Sequence, residues 1–484
     1  MPSSPRPSFR LISRRSAALS ALLAAVVAIP LTPAASAASS ASAASAASAS
    51  AADARCAGMH RLRVPGAQHQ VAACLDDLTT AGTVASGHTN PADWQGLHAA
   101  ATRNPSGVPG IQIDGYFHDT STFNPTHGWN HDAQFVIRLP EKWNGGLVVA
   151  GAPGNRRQYA NDFTISDYVL AKGYAYASTD KGNVDAGFYH DGKRPGDAIL
   201  EWYRRMTEVT VAAKATVARR YGRQPRRTYA MGISNGGQLV RWALENHPEL
   251  YDGGVDSEGT YWPPGKRRNA LTYLPVALRE YPKYRAGGDE RAHAAMLKAG
   301  FAPGSEFLWE FNYTVLWDGT QRRYREEVDP GFDGDLDAGI PYCASGTPGC
   351  DADYDYFARP KSVHDAVTRA SHSGRIGKPL LTVQGTLDTL LPIEVHGDAY
   401  ADAVRGQGRG ALHRYYRIEG ASHLDLEYDM FPDRMRPLLP CMRSAFEALE
   451  RWVDGHRQPP RSATIPRQTT GDVVNTCSLS RPST

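Results

Sequence analysis

The chain has no hydrophobic run long enough to cross a bilayer. Its main apolar stretch, Ala17 to Leu31, is short and rich in alanine, whereas a spanning helix needs about 20 apolar residues. An excess of one charge is also missing. Lys and Arg number 53 and Asp and Glu 50; without residues 1–37, which hold four arginines and no acid, the balance is 49 to 50. Such neutrality excludes the basic footprint that nucleic acid demands, so Arg223-Gln224-Pro225-Arg226-Arg227 reads as solvated surface. Cysteine is scarce at six in 484, with no C-x-x-C and no clustered histidine to suggest a zinc site. An even count fits disulfides in an oxidising compartment. Proximity pairs Cys56 with Cys74 and Cys343 with Cys350, and elimination leaves Cys441 with Cys477.

What is present at the N-terminus is an address. Arg10, Arg14 and Arg15 precede the apolar run, and Ala35-Ser36-Ala37 offers a small-residue cleavage site, so residues 1–37 are expected to be an export signal. Ser13-Arg14-Arg15 also resembles a twin-arginine signal. Residues 38–52 are almost all Ala and Ser and read as a flexible spacer. The expected product is secreted, with neither a membrane nor nucleic acid as partner.

The most informative stretch is Gly232-Ile233-Ser234-Asn235-Gly236. It follows a strand-like run, Arg227 to Met231, and precedes a helix-like run, Gln238 to Glu245. That is the layout of a nucleophile elbow, a sharp strand-to-helix turn that exposes a serine hydroxyl above a sheet. Its possible partners lie downstream. Pro379 to Gly385 reads as a buried strand that runs into a loop carrying Asp388, and Arg414 to Ile418 as a strand that empties into a loop carrying His423. Ser234, Asp388 and His423 stand in the Ser…Asp…His order of an α/β-hydrolase. Alone, Asp388 would pass for a turn-capping acid and His423 for a surface histidine. Three such residues in order, each at a strand end, favour a triad, with Ser257 the nearest rival nucleophile.

A serine hydroxyl needs a base during attack. His423 would be that base and then the acid for the leaving alcohol, while Asp388 would fix the imidazole tautomer. An oxyanion requires backbone donors. One is expected from Asn235, the residue after the serine, and the other from Gly151-Ala152-Pro153-Gly154, which follows the strand-like Gly146 to Ala150. Pro153 has no N–H, which leaves Ala152 first and Gly154 second.

Strand-like runs at Gln134–Leu139, Gly146–Ala150 and Gly173–Ser178 alternate with helical ones. Residues 198–221 carry Ile199, Trp202, Met206, Val209, Ala213, Val217 and Tyr221 at spacings of three and four, and Gly222 stops the run. The pattern predicts an α/β-hydrolase fold, a mostly parallel sheet with helices on both faces. Core sequence fills 53–258 and 373–484. Residues 259–372 break the rhythm and are expected to form a cap, with Tyr261, Trp262, Trp309, Phe311, Tyr313 and Trp317 as candidate pocket walls. Within it, Asp329, Asp333, Asp335 and Asp337 surround Gly334. They offer oxygen ligands of the kind Ca²⁺ takes, although the spacing is not that of an EF-hand and a solvated acidic turn also accounts for them. No cofactor is expected for the chemistry.

The chain resembles 3-hydroxybutyrate oligomer hydrolases at Asp76-Asp77-Leu78-Thr79-Thr80-Ala81-Gly82, Thr179-Asp180-Lys181-Gly182, Ile233-Ser234-Asn235-Gly236-Gly237 and Asp388-Thr389-Leu390-Leu391-Pro392. That likeness implies a secreted serine esterase acting on short 3-hydroxyalkanoate esters through Ser234, Asp388 and His423. It is also similar to tannases and feruloyl esterases at Trp143-Asn144-Gly145, Gly173 to Asp180 and the Thr207 to Pro225 region. Those enzymes carry a disulfide between cysteines just before the serine and just after the histidine; Ile233 and Leu424 stand there instead. Peptidase action on the same triad and a non-catalytic binding protein on the same fold are the other readings.

Overall fold

A computed structural model of the chain describes residues 55–118, 133–182, 192–332 and 351–480. The expected export signal and spacer, Asp333, Asp335 and Asp337, and the Cys343–Cys350 pair lie outside the described residues. Among the described residues ten strands form one sheet: β1 (Ala67–Leu75), β2 (Gly110–Phe117), β3 (Gln134–Pro140), β4 (Gly146–Gly151), β5 (Ala175–Thr179), β6 (Arg227–Ile233), β7 (Gly253–Ser257), β8 (Leu380–Gly385), β9 (His413–Ile418) and β10 (Ala463–Ile465). Their order is β1-β2-β3-β5-β4-β6-β7-β8-β9-β10. The joins from β1 through β2 and β3 to β5 are antiparallel. Every join from β5 to β10 is parallel.

Alternation along each strand feeds two cores. Leu147, Val149, Ala175 and Ala177 point to one face and pack with Trp202 and Met206 of α1 (Asp197–Tyr221) and Leu239 of α2 (Asn235–Asn246). Val148, Ala150, Tyr176 and Met231 point to the other, against Phe446 and Leu449 near the C-terminus. Both faces are thus covered, which is why the central strands are buried along their length instead of alternating with solvent. Gly222 ends α1 in a left-handed conformation, φ 72°, the geometry that glycine adopts without a Cβ penalty.

β7 has only one aliphatic residue, Val255, and its glycines have a packing reason. A Cβ on Gly253 would lie 2.8 Å from Leu449, and one on Gly254 2.7 Å from Val240, so helices approach it closely from opposite faces. Between β7 and β8 lie α3 (Ala270–Gly287), α4 (Glu290–Ala299), α5 (Asp318–Val328) and α6 (Lys361–Arg369). Asn269 caps α3 by accepting the Leu271 N–H, and the helix continues through Pro275 and Pro282. Side chains tie this insertion to the sheet loops: Trp317 Nε1 donates to Thr389 O at 2.8 Å, Tyr273 OH to Leu390 O at 2.7 Å, and Asn312 Nδ2 to Glu427 Oε1 at 2.9 Å. Its aromatics pack mainly on one another, with Trp317 5.2 Å from Phe301 and 5.9 Å from Tyr281 between ring centroids.

Disulfides join Cys56 to Cys74 and Cys441 to Cys477. The second closes a separation of 36 residues and ties the C-terminal segment to α7 (Leu439–Gly455). Replacing it by Cys441→Ala/Cys477→Ser is expected to lower unfolding free energy by about 2–4 kcal/mol, because the unfolded chain regains loop freedom. Denaturant melts of the two forms check this, and an unchanged midpoint rejects it.

Candidate active site

Ser234 sits where β6 passes into α2, with φ 57° and ψ −120°. A non-glycine residue there is strained by on the order of 1–3 kcal/mol, so its surroundings must hold it. Its N–H donates to Ser257 O at 2.9 Å, and its carbonyl accepts the Gln238 N–H at 3.0 Å. The flanking glycines leave room for backbone. A Cβ on Gly232 would meet the Gly236 carbonyl at 2.2 Å, and one on Gly236 would meet Gly151 O at 2.5 Å. Behind the turn, Arg241 Nε donates to Asp256 Oδ2 at 2.6 Å with both side chains wholly buried. Asp256 also accepts Gly259 N at 2.8 Å and Thr382 Oγ1 at 3.0 Å.

The loops after β8 and β9 bring the other expected residues to this serine. His423 Nε2 lies 3.1 Å from Ser234 Oγ, and its Nδ1 lies 3.0 Å from Asp388 Oδ2. The other Asp388 oxygen accepts the N–H groups of Leu390 at 3.0 Å and Leu391 at 2.7 Å. Those two bonds aim the carboxylate and compensate its burial.

A fourth group is present that no motif signalled. Glu258, the first residue past β7, places Oε2 3.0 Å from His423 Nδ1 and is 1% exposed. Its backbone is left-handed at φ 53°. Burial opposes charge on His423, but Asp388 and Glu258 outweigh it and hold the imidazole well above its ordinary pKa. Burial likewise pushes the Glu258 carboxyl well up, with His423 pulling it back. The ligand atoms of Glu258, Asp388 and His423 lie within 4.8 Å of one another. In the tautomer that lets Nε2 accept from Ser234, Nδ1 carries a proton and offers the carboxylates an N–H, not a cation a lone pair.

The oxyanion donors need one correction. The Ala152 N–H donates to Thr179 O at 3.0 Å, extending the β4–β5 pairing, so it is not available for an oxyanion. Gly154, at φ 52°, faces the cavity with Pro153 and Asn155. Asn235 opens α2, where the first N–H groups have no partner within the helix. Its side chain donates to Tyr324 OH at 2.7 Å and Gln238 Oε1 at 3.0 Å, which fixes the turn.

A crystal structure of feruloyl esterase B from Aspergillus oryzae superposes with a TM-score of 0.51 at 13% identity, over 84% of this chain and 91% of that one. The fold is that of an α/β-hydrolase. The family model for tannase and feruloyl esterase matches residues 120–260, which include Ser234. A mono(2-hydroxyethyl) terephthalate hydrolase from Piscinibacter sakaiensis is 32% identical over 139 residues, 26% of this chain and 23% of that one. A D-(-)-3-hydroxybutyrate oligomer hydrolase from Polaromonas naphthalenivorans is 33% identical over 105 residues, 20% of this chain and 15% of that one. The chain therefore spans less than a quarter of the length of these curated relatives. Both resemblances expected from the motifs are met.

The serine and histidine open into a cavity of about 210 Å³. Ile233 and Leu424 line it, so the positions of the tannase-type cysteine pair carry apolar wall instead. The expected aromatic walls are placed elsewhere. Trp262, Trp309 and Trp317 are buried in the insertion's own packing, and the rings that line the cavity are Trp202 of α1 and Tyr324 of α5. Periodicity marked Trp202 as a core residue; nothing in α1 alone showed that one edge of it meets a cavity. Two cations, Arg156 and Arg323, line the site, and no acidic side chain among the described residues does. Backbone carbonyls hold Arg156, those of Asp93 at 3.1 Å and Gln95 at 2.9 Å.

Proposed function

We propose that this protein is a serine carboxylic-ester hydrolase that works through an acyl-enzyme on esters bearing a free carboxylate, with short 3-hydroxyalkanoate oligomers as the first candidates. The observation that carries the reading is the continuous contact from Ser234 Oγ through His423 to Asp388 at a strained elbow. In the first half-reaction the Oγ proton passes to His423 Nε2 as Oγ bonds the acyl carbon. The same proton then leaves with the alcohol as the ester C–O bond breaks. Water repeats the sequence and frees the acid. Asn235 N and Gly154 N are the assigned oxyanion donors.

The substrate class rests on charge. A cavity with Arg156 and Arg323 and no lining acid favours an anion. Hydroxybutyrate oligomers end in a carboxylate, and so does a terephthalate monoester, the ester named for one of the relatives. Aromatic esters of the tannase and feruloyl type are the second reading, supported by Trp202 and Tyr324 in the walls. The helices of 259–372 serve as the cap, since Leu316, Thr320, Arg323 and Tyr324 all reach the cavity. The two disulfides support an exported protein.

A fluorophosphonate is expected to label Ser234 in the folded protein, and an unlabelled serine leaves the non-catalytic binding reading in place. Hydroxybutyrate dimer and mono(2-hydroxyethyl) terephthalate are expected to turn over with a lower KM than their methyl-esterified counterparts. Arg323→Ala and Arg156→Ala should each raise KM for the anionic substrate by about tenfold with a smaller change in kcat, the mark of a lost binding contact. Equal KM for charged and neutral forms rejects the substrate class. Strong turnover of methyl gallate and methyl ferulate alone favours the second reading.

A further inference from the structure

We propose that Glu258 is a second acid of this site: it shares the Nδ1 side of His423 with Asp388, strengthens the imidazole as a base, and holds its orientation when Asp388 is removed. The inference rests on Ser234 being the nucleophile. β7 and β8 are neighbouring parallel strands, with Ser257 opposite Val383. The loops that leave the two strand ends are therefore neighbours, and Glu258, one residue past β7, and Asp388, three past β8, meet one ring nitrogen at 3.0 Å each.

Three features set Glu258 apart from a structural acid. Its left-handed backbone is strained, and the sheet holds it there: Glu258 N–H donates to Val383 O at 2.9 Å. Gly259 follows because a Cβ there would lie 2.4 Å from Asp256 Oδ1. The carboxylate is buried and, among the described residues, has no arginine or lysine within salt-bridge distance; its cationic partner is His423. Its Oε2 accepts no well-aligned hydrogen bond, whereas Asp388 is held by two backbone N–H groups. A buried carboxylate without full compensation is costly, and this one lies against the general base.

The groups that face the pair are few. Asp425 and Asp388 act on Glu258, and His423 acts on His396. Glu427 and Tyr273 are influenced by Asp388. Arg241, the nearby guanidinium, is held by Asp256. When His423 takes the Ser234 proton, the imidazolium faces Asp388 and Glu258, and its positive charge opposes the effect of burial and favours the ionised form of the Glu258 carboxyl.

The test starts with fluorophosphonate labelling of the wild type. Glu258→Gln is expected to stay folded and labelled, and to move the acid limb of the kcat/KM profile down by about one pH unit. The sign follows from removing a negative charge beside the imidazolium, which lets the neutral base persist to lower pH. Asp388→Asn is expected to lose about a hundredfold, well short of the roughly 10⁴-fold loss of a triad left with the wrong tautomer. The double variant is expected to show that full loss. An unmoved acid limb in Glu258→Gln overturns the proposal, and so does a full 10⁴-fold loss in Asp388→Asn alone. If Glu258→Gln does not fold, Asp388→Asn decides by the same criterion, with Glu258→Asp expected to keep the wild-type acid limb. A wild type that is not labelled at Ser234 removes the nucleophile itself, while a labelled wild type with these negative results removes Glu258 only.

Discussion

Ser234→Ala is expected to lower kcat on the order of 10⁶-fold while leaving the unfolding midpoint within a few degrees of wild type. Loss of the nucleophile leaves only the oxyanion donors and binding to act on the ester, which accounts for the residual rate seen when a triad member is removed. Stability should be nearly unchanged or slightly higher, because the side chain makes one hydrogen bond and the backbone strain at φ 57° is met by the same Ser257 and Gln238 contacts. Ser257→Ala is the control. Ser257 is 2% exposed and meets the elbow through its carbonyl, so the variant should retain turnover. Activity surviving in Ser234→Ala, measured with p-nitrophenyl acetate and active-site titration, would place the nucleophile elsewhere.

Arg241→Leu is the stability change with the largest expected cost, about 3–5 kcal/mol, since it leaves the Asp256 carboxylate buried without its cation. The damage should reach the elbow, because Asp256 holds Gly259 N and Thr382 Oγ1 and lies where a Cβ on Gly237 would fall. Adding Asp256→Asn removes the stranded charge and should recover part of the loss. The single variant is therefore expected to be less stable than the double in urea unfolding. A cost below about 1 kcal/mol for Arg241→Leu would mean that water or another group reaches Asp256.

Much of the site was legible because its chemistry needs special local geometry. Gly232 and Gly236 are glycines because the elbow brings backbone within about 2.5 Å of where a Cβ would be, and that demand is written in the motif. Asp388 and His423 were readable because each lies in a loop just after a short strand-like run, the buried Leu380–Gly385 and the tyrosine-containing His413–Ile418. Ala152 was misassigned because its N–H continues a strand ladder that only register reveals. Glu258 was invisible for a similar reason: β7 carries two glycines and an aspartate, so neither the strand nor the residue ending it stood out.

The sequence by itself marked six of the strands, the helices α1 and α2, the glycine-flanked turn at Ser234 and the loops that carry Asp388 and His423, because periodicity and glycine placement are local constraints. The tertiary structure alone decided which rings wall the cavity, which backbone N–H remains open, and that a second carboxylate lies against His423. Those depend on which distant strand ends are neighbours, and parallel pairing through crossovers sets that adjacency without leaving any local mark on the residues involved.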